Sequence, residues 1–164
     1  MNSALNIAKL LVICEQIEGR KKLQKLVHIL QSTGHERDFP QQFGYLHYGP
    51  YSHGVKADID LLVDPDGPLA SETEEVSGMG HKTFVYRPSP ELVEALSAPG
   101  EPAWADKAKR LNQKTAQETE AMSTILFLKR SGVAEEALAA RFKQLKPALA
   151  DRYATALNDV KALC

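Results

Sequence analysis

The residue types best suited to chemistry crowd into one stretch, Phe43-Gly44-Tyr45-Leu46-His47-Tyr48-Gly49-Pro50-Tyr51-Ser52-His53. Tyr45, Tyr48 and Tyr51 each offer a ring and a hydroxyl, and His47 and His53 each offer an imidazole. Two chemistries follow. Tyrosine supplies contact area and a hydrogen bond at low entropy cost, which suits a surface that holds a partner. Histidine beside a phenol suits proton transfer. An architectural reading stands beside both: Gly49 permits a backbone angle that other residues resist, Pro50 fixes the next one, and the tyrosines pack the junction.

A second group is cationic. Lys21, Lys22 and Lys25 fall mostly away from the apolar face of one helical stretch. They fit phosphate contacts or a plain solvated face. A few lysines make only a few such contacts. The next helical stretch exposes Ser52, His53, Lys56, Asp58 and Asp60. Base readout favours Arg, Lys, Asn or Gln, and two aspartates beside one lysine repel a phosphate backbone.

Enzyme chemistry finds little support. His28, His35, His47, His53 and His81 are scattered without metal-ligand spacing. No nucleophile elbow is present. Gly78-Met79-Gly80 falls in a turn rather than before a helix, so it is no phosphate loop. Trp104 reads as a core anchor, and Cys14 as an inert thiol on an apolar helix side. No cofactor is expected.

The elements that must position these residues follow from periodicity and punctuation. Ile7, Leu10, Ile13, Cys14 and Ile17 predict a helix from about Ser3 to Glu18, stopped by Gly19. Leu23, Leu26, Val27 and Leu30 predict a second helix, Arg20 to Ser32, ended by Gly34. A short strand is expected over Phe43 to Tyr48, stopped by Gly49-Pro50 because proline lacks a ladder donor. A third helix should run from Tyr51 or Ser52 to Val63. Leu69 to Val76 and Lys82 to Arg87 alternate as a β-hairpin, with three glutamates on the first strand. Ser89-Pro90 opens a short fourth helix. The remainder reads as helices: one long or broken over Pro102 to Arg130, one over Val133 to Leu145, and one beginning at Lys146-Pro147.

Composition bounds the class. The 164 residues are 43% hydrophobic, enough for a proper core and against disorder. The formal net charge of -1 lowers the expectation of a dedicated nucleic-acid binder. Two distant cysteines, Cys14 and Cys164, point to a reducing cytoplasm rather than a disulfide framework. The first residues do not read as a signal peptide, and no run approaches the roughly 18 apolar residues of a membrane span.

Two stretches at fixed separation, Arg20-Lys21-Lys22-Leu23-Gln24-Lys25-Leu26-Val27 and Tyr48-Gly49-Pro50-Tyr51-Ser52, carry a family resemblance. Together they resemble the YwgA-type family of bacterial proteins, the C-terminal domain of DarG-type antitoxins and, more loosely, the SocA-like (Panacea) antitoxin domain. The similarity covers about residues 7 to 65. Leu145-Lys146-Pro147 before an Ala-rich helix is also similar to the YwgA type. The resemblance implies a winged-helix-like fold without known catalysis. From the antitoxin relatives it implies binding to a protein toxin, or adapting that toxin to a protease.

The expected molecule is mainly α (α+β). It has a winged helix-turn-helix-like unit at residues 1–97 with a hairpin wing, and a C-terminal helical subdomain at 98–164 packed on it. Its expected role is a non-enzymatic, cytoplasmic regulatory module binding a protein partner through Tyr45, His47, Tyr48, Tyr51, Ser52, His53 and Lys56. The alternative is a DNA-binding regulator using Lys21, Lys22, Lys25, His53 and Lys56. No membrane partner is expected, and a homodimer is left open.

Overall fold

A computed structural model of the chain describes residues 3–47, 49–76, 78–97 and 100–164. Its elements are helix α1 (Ser3–Cys14), strand β1 (Ile17–Glu18), α2 (Arg20–Leu30), β2 (Gly44–Leu46), β3 (Gly49–Tyr51), α3 (His53–Leu62), β4 (Ala70–Val76), β5 (Lys82–Pro88), α4 (Pro90–Leu96), α5 (Ala105–Asn112), α6 (Ala116–Arg130), α7 (Glu135–Leu145) and α8 (Tyr153–Leu163). An irregular turn over Gln31–His35 closes α2, and a 3-10 turn over Pro147–Arg152 leads into α8. The class is α+β, mostly helical, with two small antiparallel sheets.

The first helix ends earlier than its periodicity suggests. Glu15 takes a left-handed backbone angle, φ 68°, and turns the chain. Ile17 then becomes part of β1, where it pairs with Tyr86, while Glu18 pairs with Val85. Ile17 is fully buried in either geometry, so its apolar character alone did not separate strand from helix. β5 pairs with β4 on its other side, from Ala70↔Pro88 to Val76↔Lys82, giving the order β1-β5-β4. Ser77, the first residue of the expected hairpin turn Ser77-Gly78-Met79-Gly80, lies outside the described residues.

Several local signals work as expected. The Ser52 hydroxyl accepts from Val55 N–H and caps α3, and Ser89 accepts from Leu92 N–H ahead of Pro90 to cap α4. The long C-terminal helical stretch is a broken pair. Thr115 and Glu118 form a reciprocal capping box that restarts the chain as α6.

One hydrophobic core runs through the described residues, from Ile7 on α1 to Val160 on α8. Trp104 is buried and meets the Phe39 ring edge-on at 5.0 Å. Such aromatic pairs contribute about 0.5–1.5 kcal/mol beyond the area they bury. Helix α6 packs on α2, which places the C-terminal helices directly behind the element that carries the first motif. No helix among the described residues is long and apolar enough to cross a membrane.

Candidate functional site

Helix α2 has a more crowded environment than a one-sided amphipathic helix. Leu23, Leu26 and Leu30 face the core as expected, but α6 covers a second side. Lys22, Gln24, Lys25 and His28 are consequently buried too. The expectation that Lys21, Lys22 and Lys25 form one outward face is therefore corrected: Lys21 alone of the three is exposed.

Each buried polar group on α2 has a specific task, because an unpaired one would be costly. Lys22 Nζ donates to the Asn112 carbonyl at 2.6 Å, at the C-terminal end of α5 where a cation is favoured. Burial lowers the Lys22 pKa, with Glu18 opposing the shift. Gln24 grips the backbone of Ser52: Nε2 donates to its carbonyl at 3.0 Å and Oε1 accepts from its N–H at 2.9 Å. Lys25, only 2% exposed, donates through Nζ to the Pro50 carbonyl at 3.0 Å. Burial pulls its pKa down to about 8, against the pull of nearby Glu120. The two sequence motifs thus meet face to face.

A third motif joins them. Lys146, at the end of α7, donates through Nζ to the His47 carbonyl at 3.3 Å. It also lies 3.4 Å from the Glu120 carboxylate and 5.5 Å from the centre of the Tyr45 ring. Two buried lysines therefore hold the carbonyls on either side of the turn between β2 and β3. Gly49 fits here because its φ is 98°, and a Cβ would stand 3.4 Å from Lys25 Cε and 3.5 Å from Thr124 Oγ1. Pro50 does not end the strand. It pairs opposite Tyr45 within a two-stranded ladder, an edge setting where its missing N–H is tolerated.

The expected site residues separate into two groups. Tyr45 is half-buried, its ring 5.4 Å from Phe127, and its hydroxyl oxygen has no hydrogen-bond partner among the described residues. Ser52 is buried as the helix cap. His47, His53 and Lys56 are exposed, and Tyr51 is half-buried with its ring edge-on to His53 at 5.1 Å. Tyr48 lies outside the described residues.

A cleft of about 320 Å3 opens where α2, the β2–β3 turn, α3 and the sheet converge. Leu23, Val55, Ile59 and Tyr86, all nearly inaccessible, line it, as do His47, Tyr51 and Lys56. Arg20, Lys21, Lys25, Asp60 and Glu72 supply its charges. Arg20 Nη2 donates to Glu72 Oε1 at 3.0 Å, and the Tyr86 hydroxyl donates to Glu72 Oε2 at 2.6 Å. Lys56 pairs with Asp60 at 2.7 Å across one turn of α3. Burial and the Glu72 carboxylate raise the Tyr86 pKa. The arrangement can hold an apolar group against Leu46 and Tyr51 and charged groups at its mouth.

Sequence reasoning set the acidic strand of Glu72 at the rim of the contact surface but missed Arg20, Leu46 and Tyr86 as members of this cleft. Arg20 and Glu72 stand 52 positions apart and meet only through the fold. The apolar floor was legible as core spacing, but core spacing does not mark which core residues line an opening. Among the described residues, no group of three or more His, Cys, Asp or Glu side chains is placed to hold a metal ion. Burial pushes the Cys14 thiol pKa up to about 12, which leaves it protonated near neutral pH.

In comparison with known proteins, no family model matches the chain, and no curated protein matches it.

Proposed function

We propose that this chain is a non-enzymatic bacterial regulatory module of winged-helix type that holds a protein partner, in the manner of an antitoxin or adaptor. The winged-helix reading is supported by the order of α1, β1, α2, α3, β4 and β5, with the β2–β3 pair inserted between α2 and α3, and by the sheet order β1-β5-β4. The resemblance of the two α2 and turn motifs, and of Leu145-Lys146-Pro147, to the YwgA-type, DarG-type and SocA-like families points the same way.

The observation that carries the partner reading is the cleft itself. Above its buried floor it exposes Leu46, at 47% accessibility, beside a half-buried Tyr51. Concave apolar surface with a polar rim is what partner anchors fill. The test is capture of partners from bacterial lysate by the wild-type chain and by a Leu46→Ala, Tyr51→Ala double variant. A partner bound by the first and lost from the folded second supports the reading. Full retention by the double variant places the contact elsewhere.

The alternative, a DNA-binding regulator, is favoured by the same succession of helices and hairpin. It requires binding to duplex DNA at low salt that collapses as salt rises. Fluorescence anisotropy with random duplex DNA measures this, and absence of binding at low salt removes the alternative.

A further inference from the structure

We infer that the cleft selects an acidic segment of the partner, with an apolar side chain seated against Leu46 and Tyr51 and a flanking carboxylate held at the mouth by Arg20, Lys21 and Lys56. This rests on the protein-partner reading and adds the chemistry of what is held.

Charge complementarity carries it. The cleft lining holds four cationic side chains, Arg20, Lys21, Lys25 and Lys56, against two anionic ones, Asp60 and Glu72. That local excess of two positive charges sits on a chain whose formal net charge is -1. The wall behind adds no net charge of its own, because Lys146 is paired there with Glu120. Lys25, already counted in the lining, is buried beside the turn and so poorly screened by salt.

The cleft also already accommodates a carboxylate. Glu72 lies against its edge, gripped by the Arg20 guanidinium on one oxygen and the Tyr86 hydroxyl on the other. Arg20 stays 58% exposed in that pairing, and Lys56 is equally exposed beside Asp60. Both retain donors for a second carboxylate, since guanidinium has five and ammonium three. A nucleic acid fits less well: its phosphates would meet Asp60 and Glu72 at the rim, while the apolar floor would face a charged backbone.

The experiment titrates the full chain with three acetylated hexapeptides that share a central leucine–phenylalanine pair. One flanks the pair with glutamate and aspartate, one with glutamine and asparagine, and one with lysine. A short DNA duplex is the fourth probe. Methyl and amide NMR shifts of Leu23, Val55 and Ile59 report the site. At low salt the acidic peptide is expected to bind at least about five-fold more tightly than its neutral counterpart, the worth of one or two exposed charge contacts. The gap should narrow as salt rises. Glu72→Gln should widen the acidic-over-neutral preference several-fold, and Arg20→Gln should narrow it. Equal binding of acidic and neutral peptides, or preference for the lysine peptide, overturns the inference and leaves the cleft as a partner site. Shifts with the duplex alone, or with no probe, overturn both.

Discussion

The Gln24 side-chain amide binds both backbone groups of Ser52, donating to the carbonyl at 3.0 Å and accepting from the N–H at 2.9 Å. Ser52 in turn caps α3. One glutamine on α2 therefore fixes where α3 begins, and with it one wall of the cleft. Gln24→Met keeps the volume and removes both bonds; the Ser52 carbonyl keeps the Lys56 N–H, and the buried Ser52 N–H is left unpaired. The expected loss of folding stability is about 1–3 kcal/mol, the cost of one unsatisfied buried group. Urea denaturation measures it, and a loss below half of that shows water or a shifted side chain replacing the amide.

Gly49 is held from three sides. Its φ of 98° disfavours any side chain, and a Cβ would come into contact with Lys25, Thr124 and Glu120. Gly49→Ala should cost about 1–3 kcal/mol. Gly44→Ala, on the paired strand β2 with open space around it, should change stability by no more than about 0.5 kcal/mol. Equal effects at the two positions would contradict the close approach described for Gly49.

His28 links stability to acid. It is buried, with the Ser123 hydroxyl 2.7 Å from Nδ1 and the Phe43 ring edge-on at 4.8 Å. Burial, then the charges of Arg130 and Lys25, pulls its pKa down to about 3. The unfolded chain takes up this proton below about pH 6.5, whereas the folded chain resists it. The neutral imidazole therefore contributes full stability above about pH 6.5, and that contribution is lost as pH falls towards 3. The expected slope is up to about 1.4 kcal/mol per pH unit for one proton. His28→Gln should flatten the slope between pH 4 and 6 in denaturation curves, and an unchanged slope would assign it to other groups.

The shared carboxylate predicts coupled titrations. Lys146 is one of the positive charges that lower the Lys25 pKa, and Glu120 raises it. Lys146→Met should move the Lys25 pKa up from about 8, and Glu120→Gln should move it further down. NMR titration of the Lys25 Cε and Nζ resonances reads both. Shifts of the same sign in the two variants would contradict the arrangement.

Much of the fold was legible because local chemistry and tertiary structure agreed. Ser52, Ser89 and Pro90 start helices where such residues do, and the alternation of β4 and β5 survives as a paired hairpin. The misreadings share one cause, which is packing between segments distant in sequence. Ile17 joins a strand because β5 lies beside it, and Lys22 and Lys25 are buried because α5 and α6 cover α2. The candidate site was legible in part. The aromatic turn was found, and His47, Tyr51 and Lys56 do line one cleft. The Arg20–Glu72 pair and the floor under it depend on the sheet docking against α2, which no local pattern announces.

The central claim is that this cleft is where a protein partner sits, and site-specific photocrosslinking in bacterial cells tests it most directly. A photoreactive residue is placed in turn at His47, at Lys56 and, as a control, at exposed Glu136 on α7. The account predicts a discrete protein adduct from the two cleft positions and none from the control. Nucleic-acid adducts at the cleft positions, or protein adducts from the control position alone, would contradict it.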